Sequence, residues 1–223
     1  RLLPFRSPAA LEVFRYAEDV ALERRQKPED DIITVLLTAE PDGQRLTDLE
    51  FKNFFTLMMV AGNETTRHTI SHGLTYLIDH PEQMEQLRDN PAGLSATATE
   101  EILRASAVTM HFRRTATEDV EMRGASIKAG DRVVMWYPSA NYDEEVFEDP
   151  FRFDIRRDPN DHLTFGTGRH VCLGASLARL EVRVVFEELL KRVASIELTA
   201  EPDRLRSNFI NGIKHLPVRV SQV

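Results

Sequence analysis

The sequence predicts a mainly α-helical protein with a small β region. Three observations carry this. From residue 9 to about 107, apolar residues recur at helical spacing between capping and breaking signals. From 112 to 136 the pattern changes to short β-type segments broken at glycine turns. A glycine-rich stretch, Phe165 to Gly174, then delivers the single cysteine, Cys172, to another helix-patterned run, Leu173 to Leu190.

Taken in order, Arg1 to Pro8 has two prolines and no cap, and is expected to be irregular. Ala9 to Gln26 places Leu11, Phe14, Ala17, Val20 and Ala21 at helical spacing between charges. Asp31 is placed to cap a short helix, Ile32 to Ala39, before the turn Pro41-Asp42-Gly43. Thr47-Asp48-Leu49-Glu50 is a capping box that opens a long helix to about Asp79. Pro81 starts the next helix, Asn90-Pro91 ends it, and Thr97 or Thr99 opens another to about Ala107. Strands are expected at Phe112–Thr117, Val120–Met122, Ile127–Lys128 and Val133–Trp136. Residues 138–164, rich in Pro, Asp and Asn, read as irregular, and Glu197 to Val220 as short strands around Asn211-Gly212.

Composition narrows the function classes. At 223 residues, 42% hydrophobic and 29% charged, the balance is that of a soluble globular chain with a sizeable core. No apolar run approaches the roughly 20 residues of a membrane span, and no leader peptide is visible. Without a partner for Cys172 there is no disulfide framework, so a cytoplasmic location is expected. A net charge of −8 argues against generic nucleic-acid binding.

Taken alone, a lone cysteine is most often a small buried hydrophobe. Its setting suggests more. A helix N-terminus favours negative charge on sulfur, and small neighbours let a flat, bulky group approach the backbone. A dinucleotide fingerprint fails because Val171 stands where a third glycine is needed, and a P-loop fails for want of Gly-Lys-Ser/Thr. A thiolate ligand to a metal remains, with haem iron the leading case.

The pattern Phe165-Gly-x-Gly-Arg-His170-x-Cys172-x-Gly174 resembles the haem-binding loop of the cytochrome P450 family, the haem-thiolate monooxygenases. The resemblance runs from about Ile32 to Val220 and corresponds to the C-terminal portion of that fold, with the N-terminal half missing. It implies one haem-binding domain over 1–223, part of a longer monooxygenase fold, with haem b held by Cys172 and O2 as co-substrate. Phe165 then shields the sulfur, and Gly166, Gly168 and Gly174 admit the ring.

Two further motifs support the resemblance. Ala61-Gly62-Asn63-Glu64-Thr65-Thr66 is a poor mid-helix sequence, from which a locally opened helix is expected. It is similar to the family's oxygen-binding motif, in which Thr65 hydrogen-bonds dioxygen or its ordered water, Glu64 helps deliver protons, and Ala61 and Gly62 make room beside the ring. Glu101-Ile102-Leu103-Arg104 reads by itself as a solvated i, i+3 pair. By its place in the order it resembles the family's buried latch, with Arg157, ahead of Arg156, as third member. The resemblance further implies Arg114 and His170 as donors to the haem propionates. Asn63-Glu64-Thr65 also spells a glycosylation sequon, which a cytoplasmic chain does not use. His68 and His72 share a helix face and suit zinc, but Thr69 replaces the metalloprotease glutamate and a third ligand is not evident.

By family position the substrate pocket is lined by Met58, Met59, Val108, Thr109, Phe112, Phe209 and Ile210, which implies an apolar substrate. The stretches Ala61–Arg67, Ser139-Ala140-Asn141, Asp154–Asn160 and Asn211–Lys214 look most like bacterial members that hydroxylate sterol side chains, methyl-branched lipids or terpenoids. Electrons are expected from a ferredoxin and its reductase, docked on Arg169, Arg179, Arg183 and Lys191. The competing function is a truncated, non-enzymatic haem-binding fragment without a complete pocket, and exposed apolar surface is expected of such a piece.

Overall fold

Helix ends fall where the sequence supplies caps. The computed structural model describes residues 8–40 and 43–222, so the irregular start before Pro8 and the Pro41-Asp42 part of the first turn lie outside the described residues. Helix α1 spans Pro8–Gln26, and α2 spans Ile32–Thr38. Asp31 caps α2, accepting from the Thr34 amide at 2.8 Å and from Arg24 Nε at 2.6 Å. Helix α3 spans Asp48–Asp79. The Thr47 amide donates to Glu50 at 2.8 Å, and the Glu50 amide to the Thr47 hydroxyl at 3.3 Å, which closes the capping box.

The chain divides into two units, residues 1–64 and 65–223, and the division falls inside α3. The first unit buries Ala17, Ala21, Phe51 and Phe55, with Val13, Ile33, Leu36 and Leu37 packed against them. Alanines on α1 let the two phenylalanines of α3 lie close to it.

The second unit holds α4 (Pro81–Asp89), α5 (Pro91–Ser106), α6 (Tyr137–Asn141) and α7 (Ala175–Arg192). Its core joins Leu77, Leu87, Leu94, Ile102, Ile155 and Phe186, among others. Strands β1 (His111–Thr115) and β4 (Arg132–Trp136) pair antiparallel, His111 opposite Trp136. So do β2 (Val120–Met122) and β3 (Ala125–Ile127), joined by the tight turn Arg123-Gly124. In the tail, β5 (Val193–Leu198) pairs with β8 (Val218–Gln222), and β6 (Asp203–Arg204) with β7 (Ile213–His215).

Four expectations are corrected. Helix α5 begins at Pro91, not at Thr97 or Thr99. Asn90 accepts from the Gly93 amide at 3.1 Å as N-cap, Pro91 suits the first turn, and the two threonines bond back to Leu94 and Ser95 carbonyls inside the helix. Helix α3 is α-helical through Ala61–Thr66 rather than locally opened, because intact turns on both sides carry the poor residues without a new nucleation step. A short helix, α6, interrupts the stretch read as irregular, started by Pro138 in its first turn. Strand β5 starts at Val193, directly after α7, ahead of Glu197, where the tail strands were expected to begin.

Candidate haem-thiolate site

The loop is shaped by its own backbone. Gly166 and Gly168 stand at φ +68° and +72°, which side-chain-bearing residues rarely adopt. The Gly166 amide donates to the Leu163 carbonyl at 2.9 Å, and the Cys172 amide to the Phe165 carbonyl at 2.9 Å, so the two ends of the loop are tied together. Gly174 is the N-cap of α7, which sets Cys172 just ahead of the helix, exposed to solvent. A Cβ at Gly168 or Gly174 would meet nothing within 4 Å, so the loop presents an open face. Beside the sulfur, Val171, Leu173 and Leu177 are 55%, 74% and 58% exposed, an apolar rim in water.

Helix α7 is apolar on two opposite sides. Val182, Phe186 and Leu190 sit in the core, while Leu177, Leu180 and Val184 face solvent. A helix of that pattern suits cover on both sides.

This setting fits haem. It offers one sulfur rather than a ligand cage, and among the described residues no three His, Cys, Asp or Glu gather as a metal site. A group that brings its own equatorial ligands and a broad apolar face matches a lone exposed thiol in an apolar rim. The cations proposed for its carboxylates are accessible. Arg114 on β1 is exposed, with Nη1 donating to the Arg113 carbonyl at 3.1 Å, and His170 is exposed in the 3-10 turn Gly168–His170.

Behind the loop lies a densely hydrogen-bonded polar centre. Glu101 and Arg104 are 0% and 1% exposed, which excludes the solvated-pair reading. Arg104 donates through Nε and Nη2 to the two Glu101 oxygens, each at 2.8 Å. Its Nη1 donates to the carbonyls of Asn141 and Pro150, each at 2.8 Å. Glu101 also accepts from Arg157 Nε at 3.2 Å, from Asn160 Nδ2 at 3.1 Å and from the Asp154 amide at 2.9 Å. Arg156 reaches Gln86 instead. Asn141 is buried, donates to the Arg104 carbonyl and to Thr164, and accepts from the Leu163 amide, so it connects this centre to the start of the cysteine loop.

A second network escaped the sequence reading. Glu100 accepts from Arg179 Nε at 2.7 Å and from His162 Nε2 at 3.1 Å. Burial alone would raise the Glu100 carboxyl, but the His162 and Arg179 hydrogen bonds and charges outweigh it and hold it at about 2. The Arg179 guanidinium lies 4.7 Å from the Phe165 ring centre. Its pKa is raised, by the Glu100 hydrogen bond first and, among lesser causes, by Coulombic attraction from Cys172. Three of the four cations proposed for docking therefore have carboxylate partners: Arg179 with Glu100, Lys191 with Glu188 at 2.9 Å, and Arg183 with Glu187 at 4.0 Å. The basic patch is weaker than its residue types suggest. A cleft of about 350 Å³ between α5, residues 157–160 and α7 is lined by charged groups such as Glu100, Arg157 and Arg183, and does not suit an apolar substrate.

The pocket candidates fall into two groups. Val108 to Phe112 meet the tail turn: Thr109 bridges Ile210, the Met110 amide donates to the Phe209 carbonyl at 2.9 Å, and the Phe112 and Phe209 rings stand edge to face at 5.8 Å. Met58, Met59, Ala61, Gly62 and Glu64 belong to the first unit, and Thr65 to the second. Met59, Ala61, Gly62 and Glu64 are exposed, Met58 and Thr65 half-buried, and the Thr65 carbonyl accepts from the Thr69 hydroxyl at 2.9 Å.

Comparison with known proteins identifies the family. The family model for cytochrome P450 matches residues 11–92 and 94–218. A methyl-branched lipid omega-hydroxylase of Mycobacterium tuberculosis is 50% identical over 204 residues, 91% of this chain and 48% of that protein. A steroid C26-monooxygenase of Rhodococcus jostii is 46% identical over 212 residues, 94% of this chain and 44% of that protein. The structure of CYP109E1 from Bacillus megaterium in complex with corticosterone superposes with a TM-score of 0.89 at 39% identity, covering 95% of this chain and 57% of that one. The chain thus spans about half the length of the curated relatives it matches. Among the described residues, no helix is long and apolar enough to cross a membrane.

Proposed function

The chain belongs to the cytochrome P450 family, and on that footing we propose that it carries the thiolate side of a monooxygenase that hydroxylates an apolar methyl-branched lipid, sterol side chain or terpenoid. The observation that carries this is the loop Phe165–Gly174, which presents an exposed Cys172 at the head of α7 within an apolar rim. The substrate class is supported by the relatives named for methyl-branched lipids and steroids. The overall change is RH + O2 + two electrons + two protons giving ROH + H2O. Haem b supplies the redox-active iron for that change.

The protein's own residues bind, shield and move protons. Cys172 Sγ would hold the haem iron, and Arg114 and His170 would bind the haem carboxylates. Phe165 limits water at the sulfur, which tunes the iron potential. Gly166, Gly168 and Gly174 would let haem approach the loop backbone closely. The Thr65 hydroxyl and Glu64 carboxylate hold and pass the protons that become water. Glu101, Arg104 and Arg157 fix the loop, while Val108, Thr109, Phe112, Phe209 and Ile210 face the substrate. Electrons come from a cytoplasmic ferredoxin and its reductase, with exposed Arg169 the least neutralised docking cation.

The test is the absorption spectrum of the haem-reconstituted, reduced chain under carbon monoxide. A strongly red-shifted Soret band, lost in Cys172→Ala, is the expected result. A band at the position given by histidine or free haem, or one that survives Cys172→Ala, overturns the ligand assignment. Thiolate ligation without turnover when a ferredoxin and its reductase are supplied favours the non-enzymatic haem-binding reading.

A further inference from the structure

His68 and His72, which the zinc reading singled out and the haem site does not use, are 3% exposed and hold backbone of the tail turn. His72 Nε2 donates to the Asn211 carbonyl at 2.9 Å. The Ile213 amide donates to His68 Nδ1 at 3.2 Å, so that nitrogen carries no proton and the ring proton sits on Nε2. Between the two contacts, a Cβ at Gly212 would stand 2.9 Å from His68 Nε2, so a glycine lets the turn lie on the imidazole. Burial first, with the charge of Arg204 among lesser causes, lowers the His72 pKa against the opposing hydrogen bond to Asn211.

The other side of the turn is held by the segment after α5. The Asn211 amide donates to the Val108 carbonyl, and Asn211 Nδ2 to the Ser106 carbonyl, each at 2.8 Å. A backbone pinned from both sides fixes Phe209, whose ring meets His111 at 5.7 Å and Phe112 at 5.8 Å, and His111 in turn meets Trp136 at 4.6 Å. These aromatic groups are partly open to solvent, with Phe112, Phe209 and Trp136 at 45%, 40% and 47%.

We propose that His68 and His72 are positioning residues for substrate choice: from α3, within two turns of Thr65, they set where Phe209 and Ile210 stand, and so which shape of apolar chain the aromatic surface accepts. This rests on the reading of residues 108–112 and 209–210 as substrate-facing. Neither histidine touches the ligand; both act through the turn. Their neutral rings offer one donor and one acceptor to backbone, which a leucine of similar bulk does not.

Trp136 is the sole tryptophan of the sequence, so its fluorescence reports binding to this surface without haem. The full chain is titrated with palmitic acid, a linear chain, and phytanic acid, a methyl-branched one, and the ratio of the two Kd values is compared among variants. His72→Gln keeps a donor near the Nε2 position and His68→Asn an acceptor near the Nδ1 position, and both are expected to stay within about twofold of the original ratio. His72→Leu and His68→Leu are expected to shift the ratio by about threefold to tenfold, the size of a lost hydrogen bond or two, and to speed hydrogen exchange at the Ile213 amide. Gly212→Ala, which displaces the turn while leaving both imidazoles in place, is expected to shift the ratio in the same way and keeps the test decisive if a leucine variant fails to fold. A chain that binds neither probe overturns the substrate-facing reading and the inference with it. Binding with an unchanged ratio in the leucine and alanine variants, despite faster Ile213 exchange, overturns the positioning role alone.

Discussion

Replacing Arg104 by methionine tests whether the buried latch is a simple ion pair or an anchor for backbone. Methionine refills most of the stem volume between the rings of Tyr142 and Phe147, which lie 5.0 Å and 5.3 Å from the guanidinium carbon, but returns none of the hydrogen bonds. Breaking a buried pair from one side costs roughly 3–5 kcal/mol. Here Glu101 retains Arg157, Asn160 and the Asp154 amide, which moderates the charge penalty. The carbonyls of Asn141 and Pro150 lose buried donors, at roughly 1–3 kcal/mol for each group left unpaired. A loss of about 4 kcal/mol is therefore expected, a large part of the roughly 5–15 kcal/mol that stabilises a typical domain. Urea unfolding followed by Trp136 fluorescence measures it. The double variant Glu101→Leu/Arg104→Met separates the two ideas. For an isolated ion pair, apolar replacement of both partners is close to neutral. Here it leaves two carbonyls, the Asp154 amide and Asn160 Nδ2 without these partners and takes the carboxylate from Arg157, so no recovery is expected. A single-variant loss under about 1 kcal/mol, or a double variant within about 1 kcal/mol of the original chain, would refute the anchoring argument.

Two further predictions follow from packing and charge. A Cβ at Gly73 would stand 2.8 Å from both Ile102 Cγ2 and Phe186 Cζ, so Gly73→Ala is expected to destabilise by roughly 1–3 kcal/mol, and an unchanged urea midpoint contradicts the close packing of α3 on α5 and α7. Glu100 titrates at about 2 against an ordinary 4.5, a depressed folded-state pKa, so its contribution is fully present above the unfolded value and is lost as pH falls through the folded one. Arg179→Met should flatten the dependence of unfolding free energy on pH between these values, by at most about 1.4 kcal/mol per pH unit. Parallel slopes for variant and original chain would count against the Glu100–Arg179 coupling.

What could be read from the linear chain was what depends on neighbours in sequence. The capping box at Thr47, the cap at Asp31, the turn at Arg123-Gly124 and the cysteine loop are local devices, each complete within a few residues, and they stand where their spacing puts them. The family is legible for the same reason, since its motifs are contiguous. The start of α5 at Pro91 was misjudged because Asn90-Pro91 ends one helix and begins another, and only packing of both against one core shows that.

Other features were settled in three dimensions. Glu-x-x-Arg is common on surfaces, and no sequence pattern distinguishes a solvated pair from one whose partners arrive from residues 141–160. The role of Asn141 and Asn160, the pairing of Glu100 with His162 and Arg179, and the hold of His68 and His72 on the tail turn all join residues 37 to 145 positions apart. The sequence by itself determined the helix caps at Asp31 and Thr47, the turn chemistry and the placement of Cys172 at a helix head, because those follow from backbone geometry within a few residues. Tertiary structure alone decided which charges are buried and which histidines hold backbone, because burial and partner choice depend on chain segments that meet only when the core forms.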